Sequence, residues 1–151
     1  MHILLRTAVA GDYRSVMQRF DRHLFEQLTP PGIRVSLVRF DGSSRGDMVH
    51  LRLHLLPGLS QDWTSRITDS GTDETAAWFV DEGEKLPFFL ASWHHRHIAE
   101  RSGDHTLIVD DIQFTTPYWL TDYLLYPVLW LQFAWRGPVY RRIFGKVSAQ
   151  G

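Results

Sequence analysis

Residues 88–117, FFLASWHHRHIAERSGDHTLIVDDIQFTTP, constrain this chain more than any other stretch. Two runs with strand character flank Arg101-Ser102-Gly103-Asp104, which is turn chemistry with Gly103 free to adopt positive φ. A register in which Glu100 faces His105 places His97 opposite Ile108, His95 opposite Asp110, Trp93 opposite Ile112 and Ala91 opposite Phe114. Side chains alternate faces along a strand, so all eight share one side of the hairpin. That side is mostly apolar but carries two imidazoles and a carboxylate. A buried carboxylate is costly unless partnered, and histidine is a natural partner. The other side carries His94, Arg96, Asp111 and Gln113, which suit water. The hairpin is therefore expected to line something apolar that contains a small polar spot.

The rest of the chain supplies similar strands. Residues 3–9 read as a first strand. Asp12 caps a helix predicted over 12–28, where Val16, Phe20, Leu24 and Leu28 form an apolar stripe widened by Met17 and Phe25. Thr29-Pro30-Pro31-Gly32 stops it. Strands are predicted over 33–40, 47–56, 62–69 and 74–82, with turns at 41–46, 57–58 and 70–73. In 47–56, Val49, Leu51, Leu53 and Leu55 share one face. Pairing Ile67 with Phe79 would set Ser65 opposite Asp81. Strands in such quick succession imply an antiparallel meander.

Residues 118–146 close the chain as a long helix, apolar nearly all round and therefore expected to be buried on more than one side. Pro127 should kink it, and Gly137-Pro138 should break it. At about eighteen residues, and with Asp122, Gln132 and Pro127 inside it, 118–135 falls short of a membrane span. A cluster of Arg136, Arg141, Arg142 and Lys146 follows the aromatics and would suit a transient membrane contact, set against the preferred reading of a gripped core helix. A sheet with one apolar face needs a cover, and this helix provides it. Where the two part, a cavity remains.

Composition bounds the function. The 151 residues suffice for one domain, 1–151, with a substantial core. A net charge of -1 argues against a nucleic-acid partner. With 0 cysteines there is neither disulfide nor thiolate chemistry. Aromatics at 13% suit a large apolar interior or pocket. No signal-peptide pattern opens the chain, so a cytoplasmic location is expected. No glycine-rich phosphate loop and no G-x-S-x-G is found.

The elements Trp63-Thr-Ser-Arg-Ile67, Phe79-Val-Asp81-Glu82, Leu86-Pro87-Phe88, Trp93-His-His95-Arg-His97 and Thr106-Leu-Ile-Val-Asp110, with the apolar final helix ending near Tyr140-Arg-Arg-Ile-Phe144, carry a family resemblance. Together they resemble a ligand-binding branch of the SRPBCC superfamily, which includes START, Bet v 1-like and polyketide cyclase/dehydratase-type proteins. The resemblance covers nearly the whole chain, and W-x-H-x-H with its downstream Asp is its most specific part. It implies an α+β helix-grip fold, a curved seven-stranded antiparallel sheet around a long C-terminal helix. It also implies apolar ligands such as lipids, sterols or polyketides. Two departures are Ala99, where a larger apolar residue is expected, and the strongly aromatic 118–135.

Three readings compete at the polar spot. His95 with Asp110 reads first as a structural pair that satisfies buried polar groups, and second as a proton-handling pair. His95 and His97 with Asp110 could supply three metal ligands, but their spacing is unspecific and the expectation is no metal and no cofactor. Asp81 near Ser65 could orient a ligand hydroxyl or cap a bend.

The function expected is binding of a small hydrophobic molecule between sheet and helix, as carrier or sensor. The contacts would come from Trp63, Phe79, Asp81, Trp93, His95, His97, Asp110, Ile112, Phe114, Tyr123 and Trp130. The alternative is a cyclase or dehydratase with His95 as general base and Asp110 orienting it. A third reading is a protein-partner module whose cavity is filled by its own aromatics. The oligomeric state is not legible.

Overall fold

A computed structural model describes residues 1–148. The elements run β1 (His2–Ala10), α1 (Tyr13–Gln18), α2 (Arg22–Gln27), β2 (Arg34–Phe40), β3 (Met48–Leu56), β4 (Leu59–Thr72), β5 (Ala76–Lys85), β6 (Ser92–Ser102), β7 (His105–Thr115), α3 (Trp119–Ala134) and α4 (Arg136–Phe144). The strands form one antiparallel sheet in the order β1-β7-β6-β5-β4-β3-β2. Strands β2 to β7 are a simple meander. β1 joins the far side of β7, and α1 and α2 carry the chain back to the β2 edge. This is the helix-grip arrangement, a curved sheet with helices on its concave side.

The predicted first helix is two helices. Asp12 caps α1 through the amides of Arg14 and Ser15. Asp21 starts α2 anew by accepting from the amide of Leu24 at 2.9 Å, which gives the chain a second N-cap inside a pattern that otherwise reads as continuous. The apolar stripe survives the break. Val16, Phe20, Leu24 and Leu28 are all buried, against Val9, Ile67, Ala77, Phe79, Ala99 and Ile108 of the sheet and Val139 and Tyr140 of α4.

The β6–β7 hairpin closes two residues tighter than the sequence suggested. Ser102 pairs with His105, so His97 lies opposite Asp110, His95 opposite Ile112 and Trp93 opposite Phe114. Only Gly103 and Asp104 form the loop, and Gly103 takes φ 63, as a two-residue turn with glycine first requires. A slip of two residues is one full strand period, so every side chain keeps its face.

The β4–β5 pairing also differs. Ile67 lies opposite Asp81 and Ser65 opposite Gly83, with irregularities after Thr64 and Ile67. The turn sits at Asp73, whose Oδ1 accepts from the amides of Thr75 at 2.7 Å and Ala76 at 2.8 Å. That anchor lengthens β4 and moves the register.

The final helix departs most from expectation. It breaks at Trp135, and Gly137 and Pro138 open α4, where a missing proline N–H costs no helical bond. Gly137 lies against β1, where a Cβ would come within 3.2 Å of Thr7 Oγ1. In α3 only Leu129 and Phe133 are buried. Trp119 is 74% exposed, Leu124 68% and Leu131 65%. α3 thus grips the sheet along one narrow stripe and shows the rest of its apolar surface outward. Among the described residues no helix is long and apolar enough to cross a membrane.

Candidate functional site

A cavity of about 200 Å³ opens between α2, the β2–β5 half of the sheet and the α3–α4 junction. An engineered apolar cavity of about 150 Å³ admits benzene, so this one has room for a small ring system. Its wall is built from the inward faces of neighbouring strands. Val35 and Leu37 come from β2, Val49, Leu51 and Leu53 from β3, Trp63, Ser65 and Ile67 from β4, and Phe79 and Asp81 from β5. β6 adds Trp93, His95 and His97, while Gln132, Phe133 and Arg136 close the helical side. The alternation Val49, Leu51, Leu53 was legible as an apolar face. These three stay partly accessible because a hollow, not a packed core, faces them.

The polar end is a buried network. His95 and His97 are 2% and 1% exposed, and Asp110 3%. A carboxylate only accepts, so His95 Nε2 donates to Asp110 Oδ1 at 2.9 Å and His97 Nε2 donates to Asp81 Oδ2 at 3.1 Å. Trp93 Nε1 donates to Asp81 Oδ1 at 2.8 Å. The register makes this possible, because alternate residues of β6 put both imidazoles on one face, with ring centroids 3.6 Å apart. His97 also stacks on Phe79 at 4.2 Å. Behind the imidazoles, Arg136 Nη1 lies 3.7 Å from Asp110 Oδ1, and Tyr140 Oη donates to Asp110 Oδ2 at 3.4 Å. The Arg136 guanidinium sits 4.1 Å over the Phe133 ring, a cation–π contact in a dry setting.

Electrostatics follow from this packing. Burial opposes ionisation of Asp110, but the His95 hydrogen bond and the Arg136 charge prevail and hold its carboxyl at about 2. Burial likewise opposes ionisation of Asp81, and the His97 bond with the neighbouring imidazoles outweighs it and lowers its pKa. Burial and the proximity of His95 push His97 down to about 4, against the pull of Asp81. Burial next to the Asp110 carboxylate raises the Tyr140 phenol.

Of the sequence-predicted contacts, Trp63, Phe79, Asp81, Trp93, His95 and His97 meet in the cavity wall. Asp110 stands one layer behind them. Ile112 and Phe114 pack into a second core with Ile3, Leu90, Trp93, Leu129 and Phe133. Tyr123 and Trp130 lie outside the cavity, 63% and 41% exposed, because α3 presents only the Leu129–Phe133 stripe to the sheet. Ser65 is not bonded to Asp81. It accepts from Trp63 Nε1 at 3.2 Å, and Trp63 meets Trp93 edge to face at 4.7 Å. Sequence reasoning placed Arg136 in a solvated basic cluster, but the helix break at Trp135 turns it inward. The signal available was a buried Asp110 in need of a cation.

No family model matches the chain, and no curated protein sequence does. Solved structures do. The Zhui aromatase/cyclase from Streptomyces sp. R1128 superposes with a TM-score of 0.60 at 17% identity, covering 100% of this chain and 98% of that one. A START superfamily protein from Mycobacterium smegmatis gives 0.63 at 11% identity, covering 94% and 98%. The ginseng major latex-like protein 151 from Panax ginseng gives 0.57 at 14% identity, covering 90% and 95%. The fold is that of the SRPBCC superfamily. In the present chain the cavity lies between sheet and helices, where its buried polar groups gather. At these identities the likeness speaks for architecture and leaves the chemistry to the residues themselves.

Proposed function

We propose that this protein binds a small, largely apolar molecule in the cavity, as a carrier or sensor. One observation carries the reading. An apolar hollow ends at buried donors with hydrogen-bonding capacity to spare, since Arg136 Nε and Nη1 make no hydrogen bond and Asp110 Oδ1 stands 3.7 Å from Nη1. Pockets of this make-up hold an apolar body and fix one polar end. Arg136 would meet a carbonyl, phenolate or carboxylate oxygen, while Trp63, Phe79 and Trp93 flank the body of the ligand. A ring-containing molecule of polyketide type fits the volume and the aromatic wall.

Native mass spectrometry of protein from its own host tests this, together with titration of a naphthol carboxylate followed by the fluorescence of Trp63 and Trp93. Saturable quenching that is lost when Leu51→Trp fills the hollow is expected. Quenching unchanged by that substitution would overturn the reading.

A second reading is a cyclase or dehydratase. It is favoured by His95, which lines the cavity and has its Nε2 held by Asp110 as an oriented base requires. His95 Nδ1 would take a proton from a carbon between two carbonyls. The carbanion would close on a third carbonyl of the same chain, and water would leave with that carbonyl's oxygen, so no oxidant is needed. Turnover of a poly-β-carbonyl thioester that disappears in His95→Gln, with ligand affinity retained, selects this reading over the carrier.

The outward face of α3 belongs to the same proposal. Tyr118, Trp119, Tyr123 and Leu124 are exposed, and Arg141, Arg142 and Lys146 are exposed beyond them. An exposed aromatic and apolar helix face, on a chain that also exposes basic residues, matches the interface of an anionic bilayer, from which an apolar ligand would be taken up.

A further inference from the structure

In the buried network one imidazole lone pair, on His95 Nδ1, and one imidazole N–H, on His97 Nε2, converge on the same carboxylate oxygen. His95 Nε2 is committed to Asp110, so the other ring nitrogen, Nδ1, presents a lone pair, and it lies 3.6 Å from Asp81 Oδ2. His97 is oriented the opposite way. Its Nε2 faces the same Asp81 oxygen at 3.1 Å, and its Nδ1 is buried without a hydrogen-bond partner. Among the described residues, the ion-pair partners of Asp81 are these two imidazoles, with no arginine or lysine. A buried carboxylate beside two imidazole nitrogens and no fixed cation is an unbalanced arrangement.

We infer that Asp81 Oδ2, His95 Nδ1 and His97 Nε2 form a binding site for a divalent first-row transition metal. The three atoms lie within 4.8 Å of one another. Metal–ligand bonds of about 2.0–2.2 Å place tetrahedral ligands roughly 3.4 Å apart, and the two measured separations of 3.1 and 3.6 Å bracket that spacing. Two imidazoles and one carboxylate select zinc, cobalt or iron over magnesium and calcium, which prefer all-oxygen shells.

The surroundings support the site. Asp110 on His95 Nε2 is the carboxylate–histidine support that fixes a ligating ring and raises its basicity. Trp93 holds Asp81 by Oδ1, and Oδ2, which accepts from His97 Nε2, is released to the metal when that proton leaves. When His97 Nε2 ligates, its proton moves to Nδ1, which lies 3.6 Å from Asp110 Oδ1, and the orphaned nitrogen becomes a donor with an acceptor in reach. All three ligands line the cavity, so the fourth position opens toward whatever occupies it, as in zinc sites with three protein ligands. The sequence suggested Asp110 as the third ligand. The geometry makes Asp81 the third ligand and leaves Asp110 to orient His95. This inference stands apart from the carrier reading, since a metal can bind whether or not an apolar ligand does.

The test is titration of chelator-treated, full-length protein with Co²⁺, read by visible absorption, and with Zn²⁺, read by calorimetry. One equivalent with the intense bands of tetrahedral cobalt is expected. Asp81→Asn and His97→Gln should abolish those bands, Asp110→Asn should weaken binding about 10–100-fold, and His94→Gln on the outer face should leave it unchanged. Absence of cobalt bands at saturating metal would overturn the site, as would bands that persist in both ligand variants. Should either variant fail to fold, X-ray absorption of the zinc-loaded wild type decides. Two imidazoles and one carboxylate support the site, and any other shell overturns it.

Discussion

Asp110 is the residue on which the buried network turns. It accepts from His95 and Tyr140 and lies beside Arg136, so Asp110→Ala strands a guanidinium and a ring nitrogen in a dry setting. Removing one member of a buried charge pair costs about 3–5 kcal/mol. Urea unfolding should show a loss of that size, and a loss under about 1 kcal/mol would mean that water reaches Arg136 freely. Leu51 works the other way. It lines the hollow rather than filling a packed core, so Leu51→Ala should cost less than the roughly 2–5 kcal/mol of a packed leucine. The same urea titration checks it.

At the scale of elements, two short-range devices decided what hydrophobic pattern could not. Asp21 restarts a helix in the middle of an apolar stripe. Asp21→Ala should destabilise by about 1 kcal/mol and selectively raise amide exchange over Arg22–Gln27. Uniform protection across both helices would argue that packing, not the cap, holds α2. Gly103 supplies the positive φ of the β6–β7 turn. Gly103→Ala should cost about 1–2 kcal/mol without changing the register, since β6 and β7 bury one face against the helices. A melting temperature equal to wild type would show that the turn is not under this constraint.

At the scale of the whole molecule, the outward face of α3 is an apolar surface that, among the described residues, no other element covers. Replacing Trp119, Leu124 and Leu131 by Gln should leave the fold intact, because none of the three is buried. It should reduce co-flotation with anionic vesicles several-fold while leaving the cavity's affinity for a soluble aromatic probe unchanged. Equal flotation of variant and wild type would remove the bilayer from the proposal.

The antiparallel meander, the two histidines and the aspartate on one face, and the covering role of the terminal helix were legible in the residues, because strand alternation and helical spacing are local and periodic. The face assignments survived even where the pairing slipped, since both hairpin shifts preserved the side of the sheet that each side chain occupies. What the residues alone could not decide was distance across the sheet. That Asp81 of β5 meets His95 and His97 of β6, that Arg136 turns inward, and that Tyr123 and Trp130 turn outward all depend on turn lengths, strand irregularities and one helix break. Each of these moves a side chain by a register step at little local cost, so only the packed chain chooses among them.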